Sequence, residues 1–186
     1  MWSFHGGPGR PVVVLLAMLV ATPALVTAVS PSDLKAAFIY NFARFTLWPG
    51  EVVPANSPIV LCVAGDPDVA QSLDRAVQGK AVGGHALLVR RVGADQAVRG
   101  CQLLYAGDLN DTRARQLVSL LKDAPVLAIS DLEAFTGIGG TAHFFMEGDR
   151  MRFAVNVDAA NRANVRISAQ LLNLARIVKE SHAAAP

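Results

Sequence analysis

The residues in this chain with chemistry to offer are two cysteines, four histidines, several acidic pairs and a set of arginines near the C-terminus. Cys62 lies inside the apolar run Ile59 to Ala64, and Cys101 opens a second run, Cys101 to Ala106. Neither thiol has the electropositive, half-exposed setting that makes a cysteine nucleophilic. His5, His85, His143 and His182 show no spacing that would bring two ligands to one metal, so a zinc site would need carboxylates gathered by the fold. Ser119, Ser130 and Ser168 stand outside any nucleophile elbow. The pairs Asp66 with Asp68 and Asp131 with Glu133 match the negative charges that favour a helix start, not an acid and a base. Gly65-Asp66-Pro67-Asp68 falls where α/β proteins often hold phosphate. It lacks the glycine triplet of a dinucleotide site and the Gly-Lys-Ser/Thr of a P-loop. Pro67 removes a backbone donor and two carboxylates would repel an anion, so the segment reads as a capped turn. These residues point to no catalytic centre, no metal and no cofactor. Arg150, Arg152, Arg162 and Arg166 are interleaved with apolar segments, which suits a protein contact and equally suits a solvated hairpin face.

The elements that must carry these residues begin after a leader. Arg10 is the only basic residue before an apolar run from Val12 to Val20, and small residues follow to Ala28. This is the layout of a secretory signal peptide, too short and too interrupted for a transmembrane helix. Cleavage is expected after Ala28, with Ala24 as the alternative, and no nearby cysteine invites a lipid. Residues 29–186 then form a single domain with 16 basic and 15 acidic residues, a near balance that argues against nucleic acid as a partner. In an oxidising compartment, two cysteines in a domain of this size are more often bridged than free. Pairing Cys62 with Cys101 would close a loop worth about 4 kcal/mol at most by the chain-entropy argument. That bond reads as a staple, with a redox-responsive bond as the alternative, since lability depends on strain and exposure.

Periodicity supplies the rest. Leu34, Phe38, Phe42 and Phe45 recur at helical spacing after Ser32, the expected cap, and Trp48-Pro49-Gly50 stops the helix. Pro58 to Ala64, Ala86 to Val92, Cys101 to Ala106 and Pro125 to Ile129 are short apolar runs that read as strands. Between them, Asp66 caps a helix through Val69, Leu73, Ala76 and Val77, and Asn110 or Asp111 caps another through Leu117, Leu120 and Leu121. Ser130 to Glu133 matches a capping box. Ala142 to Met146 and Met151 to Asn156 flank Glu147-Gly148-Asp149-Arg150 as a hairpin. Asn156 caps a short helix to Arg162, and Ser168 starts a longer one carrying Leu171, Leu174, Ala175 and Val178. Alternating strands and helices predict a three-layer α/β domain: a mostly parallel sheet flanked by helices, closed by a C-terminal β-hairpin and helix.

An ordered set of segments carries a further signal: Leu34 to Pro49 (LKAAFIYNFARFTLWP), Ile59 to Gly65 around Cys62, Cys101-Gln102-Leu103-Leu104, Gly139-Gly140, Arg152 to Ala160 (RFAVNVDAA) and Ile167 to Ala175 (ISAQLLNLA). Together they resemble the YfiR-like family of exported bacterial proteins, over essentially the whole expected mature chain. The resemblance implies a non-catalytic periplasmic regulator that binds the periplasmic domain of an inner-membrane diguanylate cyclase and represses it. Repression is relieved by a peptidoglycan-associated outer-membrane lipoprotein, and the output is cyclic di-GMP and biofilm formation. Two departures qualify it. The second cysteine pair that some members carry near the Gly-Gly segment is absent, and Ala154 stands where the Arg-Phe-x-Val-Asn motif often has Glu. Partner contact is therefore expected at Arg152, Phe153, Asn156 and Arg162. The competing reading has Phe153 in the core, Asn156 as a cap and Arg152 in solvent. A homodimer is one assembly to test. An alternative function is a sensor that binds a small molecule or cell-wall fragment in the crevice at the strand ends.

Overall fold

The computed structural model describes residues 1–2, 29–93 and 99–179, so the expected leader lies almost wholly outside the described residues. Ten strands form: β1 Thr46–Leu47, β2 Ile59–Ala64, β3 Ala81–Val82, β4 His85–Arg91, β5 Leu103–Ala106, β6 Leu127–Ser130, β7 Ala142–Glu147, β8 Arg150–Asn156, β9 Arg166–Ile167 and β10 Arg176–Val178. The helices are α1 Pro31–Arg44, α2 Pro67–Val77, α3 Asp111–Leu121, α4 Val157–Arg162 and α5 Ala169–Leu172, with a 3₁₀ turn at Glu133–Phe135. Eight strands make one sheet in the order β10-β8-β7-β6-β5-β2-β4-β3, and β1 with β9 makes a separate two-stranded ribbon. Strands β4, β2, β5, β6 and β7 run parallel. The β7–β8 hairpin and the β3–β4 pair supply the antiparallel ends. The expected α/β class, parallel core and hairpin are all present.

The pleat of the central strands sorts their side chains into two cores. Leu61 and Val63 of β2, Leu103 and Tyr105 of β5, and Leu127 and Ile129 of β6 face α1 and α2, where Ile39, Phe42, Val69 and Leu73 meet them. Cys62, Ala64, Leu104, Ala106 and Ala128, one residue out of phase, face α3 and pack with Leu117, Leu121 and Phe135. Strands buried on both faces are the reason these runs are continuously apolar. Phe144 and Phe153 of the hairpin complete the α1 side, with the Phe42 and Phe153 ring centres 5.1 Å apart in an edge-on contact.

Three local expectations are corrected. Ser30, not Ser32, caps α1: its hydroxyl accepts from the Asp33 N–H at 3.0 Å, and Pro31 occupies the first helical position, where its missing N–H costs nothing. The Ser130–Glu133 capping box does not form. Ser130 is the buried last residue of β6, and its hydroxyl accepts from the Leu132 N–H at 3.2 Å, shaping a turn that leaves the 3₁₀ segment without a side-chain cap. The long C-terminal helix stops after four residues. Ser168 does cap it, but Arg176–Val178 pair with Ala154–Asn156 as β10 instead of continuing the helical stripe. The free edge of β8 offers that segment ladder hydrogen bonds, and Ile177 and Val178 are β-branched, so strand wins over helix.

Candidate functional site

In an open parallel sheet, ligands bind beyond the carboxyl ends of the strands, where the strand order reverses. Here the chain leaves β2 for β4 on one side and returns to β5 on the other, which places the reversal between the ends of β2 and β5. The two turns there lie against each other. Gly107 N–H donates to the Ala64 carbonyl at 2.9 Å, and a Cβ on Gly65 would collide with the Gly107 carbonyl. Asp66 is occupied as the cap of α2, accepting from the Val69 N–H at 3.0 Å. Backbone and cap thus fill the place where a phosphate would sit, and the segment is the capped turn its residues predict.

Beside this closed point, at the ends of β5 and β6, four polar side chains meet. Lys35 of α1 lies 2.6 Å from Asp131 Oδ2 and 3.7 Å from Asp66 Oδ2. The Tyr105 hydroxyl donates to the same Asp131 oxygen at 3.2 Å. Burial first, and then the Asp131 and Asp66 carboxylates, push the Tyr105 phenol far up, so it stays a donor. Adjoining this cluster is a groove of about 510 Å³ between the start of α1 and the hairpin, lined by Leu34, Lys35, Asp131, Phe144, Met146 and Met151. Met146 and Met151 face each other across the two strands. The sequence reading passed over Lys35 and Tyr105 and took Asp131 for a helix-start charge. The available signal was a lysine set within the apolar stretch LKAAFIY.

The residues expected to contact a partner are held in different settings. Arg152 is exposed on β8 and pairs with Glu147 at 3.2 Å, a carboxylate that also takes Arg176 at 3.4 Å. Phe153, 5% exposed, points the other way into the aromatic cluster of Phe38, Phe42 and Phe144. Asn156 is 0% exposed. Its carbonyl caps α4 by accepting from the Ala159 N–H, and its amide donates to the Thr136 carbonyl, both at 2.9 Å. Arg162 is exposed at the end of α4. Ala154, where the related motif often carries Glu, is buried and in register with both His143 and Arg176. His143 itself is buried and bonded to the Thr136 hydroxyl at 2.9 Å, and burial pushes its pKa below the ordinary value.

Cys62 and Cys101 are bridged, with Cα atoms 5.8 Å apart, inside the ordinary span for a disulfide. Cys101 immediately precedes the residues of β5 that pair with β2, so the bond ties the two central strands together on the α3 side. Both half-cystines are buried, and the Arg90 guanidinium covers them, 3.2 Å from Cys101 Sγ, while donating to the Arg99 carbonyl at 2.7 Å. Among the described residues, no three His, Cys, Asp or Glu side chains gather in a metal-holding group, and no helix is long and apolar enough to cross a membrane.

Two solved structures share this architecture. A conserved domain protein from Vibrio cholerae O1 biovar El Tor is 14% identical, with a TM-score of 0.50 over 81% of this chain and 60% of that one. A structure described as the ABC domain in complex with L-Trp, from Streptococcus pneumonia, is 10% identical, with a TM-score of 0.50 over 80% of this chain and 60% of its own. The chain spans about 60% of the length of each, and identities this low speak to the fold alone. At the level of sequence, residues 32–176 match the YfiR/HmsC-like family, a span running from the first turn of α1 to the first residue of β10. This chain belongs to the YfiR/HmsC-like family.

Proposed function

We propose that this protein is exported through cleavage of residues 1–28 and acts in the periplasm as a non-catalytic regulator. It binds the periplasmic domain of an inner-membrane diguanylate cyclase and holds that enzyme in its inactive state, lowering cyclic di-GMP and biofilm formation. A peptidoglycan-associated outer-membrane lipoprotein competes for it and lifts the repression. The observation that carries this reading is the family match across nearly the whole folded domain. The buried, fully bonded settings of Phe153 and Asn156 support a division of labour in which these two shape the hairpin and α4, while Arg152 and Arg162 meet the partner. Repression of this kind requires tighter binding to one conformation of the cyclase than to the other. Deleting the coding region should raise cyclic di-GMP, and a membrane cyclase should co-purify with the tagged protein. Unchanged cyclic di-GMP together with no co-purifying cyclase would overturn the proposal. N-terminal sequencing of the periplasmic form should begin at Val29.

A second reading, small-molecule binding at the strand ends, is favoured by one specific observation: the groove beside Lys35 and Asp131.

A further inference from the structure

The groove between the start of α1 and the β7–β8 hairpin combines three independent features. Its volume of about 510 Å³ falls in the range of small-molecule pockets rather than of protein interfaces. Its walls are apolar and adaptable: Leu34 and Phe144 form one part, and the facing thioethers of Met146 and Met151 form the other. Its polar groups are few and converge at one end, next to the carboxyl ends of β5 and β6.

The charge at that end decides the ligand class. Lys35 is shared by two carboxylates, Asp131 and Asp66, so the cluster carries one negative charge in excess. Both bonds to Asp131 fall on Oδ2, and among the described residues Oδ1 has no protein donor. A half-buried carboxylate with an unengaged oxygen favours an incoming cation. An anion would face that excess charge, and a neutral polar head would forgo the charge-assisted bond.

We propose that this groove binds a small amphipathic amine, with its apolar body against Leu34, Phe144, Met146 and Met151 and its ammonium on Asp131. This rests on the small-molecule reading above and names the ligand class for it. It does not depend on which protein partner is regulated.

The test uses the full chain, expressed with export and purified, titrated calorimetrically with three probes of nearly one shape: phenethylamine, phenethyl alcohol and hydrocinnamate. The amine should bind saturably and about tenfold or more tighter than the carboxylate, the scale of one charge-assisted hydrogen bond. Asp131→Asn should weaken the amine by about tenfold while leaving the alcohol unchanged. Met146→Lys, at an exposed position that tolerates substitution, should weaken the amine by repulsion and by narrowing the wall. If the carboxylate binds as well as the amine, or Asp131→Asn binds the amine like wild type, the amine proposal is overturned while small-molecule binding survives. If no probe binds at millimolar concentration, both are overturned for this groove. Should Met146→Lys instead convert a dimer to a monomer in sedimentation, with no probe bound, the groove is covered by a second copy and the proposal is likewise lost.

Discussion

Gly65 and Gly107 lie so close at the ends of β2 and β5 that neither has room for a side chain: a Cβ on Gly65 would run into the Gly107 carbonyl, and one on Gly107 would stand 2.9 Å from the Asp66 Cβ. Gly65 also has φ of +77°, a conformation that disfavours any L side chain. Gly65→Ala therefore meets both strain and overpacking, and should cost about 2 to 4 kcal/mol in urea unfolding. A loss below about 0.5 kcal/mol, the range of ordinary surface substitutions, would show that the two turns separate easily.

The Cys62–Cys101 bond is buried and joins adjacent strands, which favours the staple over the redox-responsive alternative. Cys62→Ser should lower stability by up to about 4 kcal/mol, with cellular abundance and repression falling in parallel. An unchanged melting temperature with altered repression would reverse this conclusion in favour of a redox switch.

Arg152 and Asn156 should separate cleanly when varied. Asn156→Ala removes a helix cap and leaves the Thr136 carbonyl without its donor, for an expected loss of about 2 to 3 kcal/mol. Arg152→Ala removes an exposed ion pair worth less than about 1 kcal/mol, so the melting curve should barely move. Cyclic di-GMP should nonetheless rise in the Arg152 variant if that side chain meets the cyclase. Repression equal to wild type would assign Arg152 to the solvated face.

His143 makes stability depend on pH. Its ordinary pKa of 6.5 is lowered in the folded protein, chiefly by burial and also by Arg176, against the opposing pull of Glu133. The unfolded chain therefore takes up this proton at a higher pH than the folded one. The contribution of the neutral ring is complete above 6.5 and is lost as the pH falls through the folded value. Relative to His143→Gln, wild type should lose stability on acidification from about pH 7 to about pH 5. Urea unfolding of the two proteins across that range checks this, and parallel pH profiles would count against it.

The continuous apolar runs at β2, β5 and β6 made the buried parallel strands legible in the sequence, because a strand covered on both faces has no polar alternation to preserve. The caps at Asp66, Asn110, Asn156 and Ser168 were legible for a similar reason: each side chain bonds a backbone N–H a few residues away, so local sequence contains both partners. The failures share the opposite property. Arg176–Val178 carry a helical stripe with Leu171 and Leu174, yet they become a strand because β8, twenty residues earlier, offers an unpaired edge. Ser130 and Glu133 have capping-box spacing, yet burial of Ser130 within β6 removes it from that role.

The sequence by itself determined the α/β order, the cysteine pair and the family, since each rests on residue type, spacing or a short local pattern. Only the tertiary structure decided that Lys35, Asp66, Tyr105 and Asp131 form one cluster, and that Phe153 and Asn156 face inward while Arg152 remains in solvent. Those four polar residues come from α1 and from the ends of β2, β5 and β6, and their partners are chosen by sheet order. Strand order depends on which edges pair during folding, a long-range outcome that no local spacing encodes.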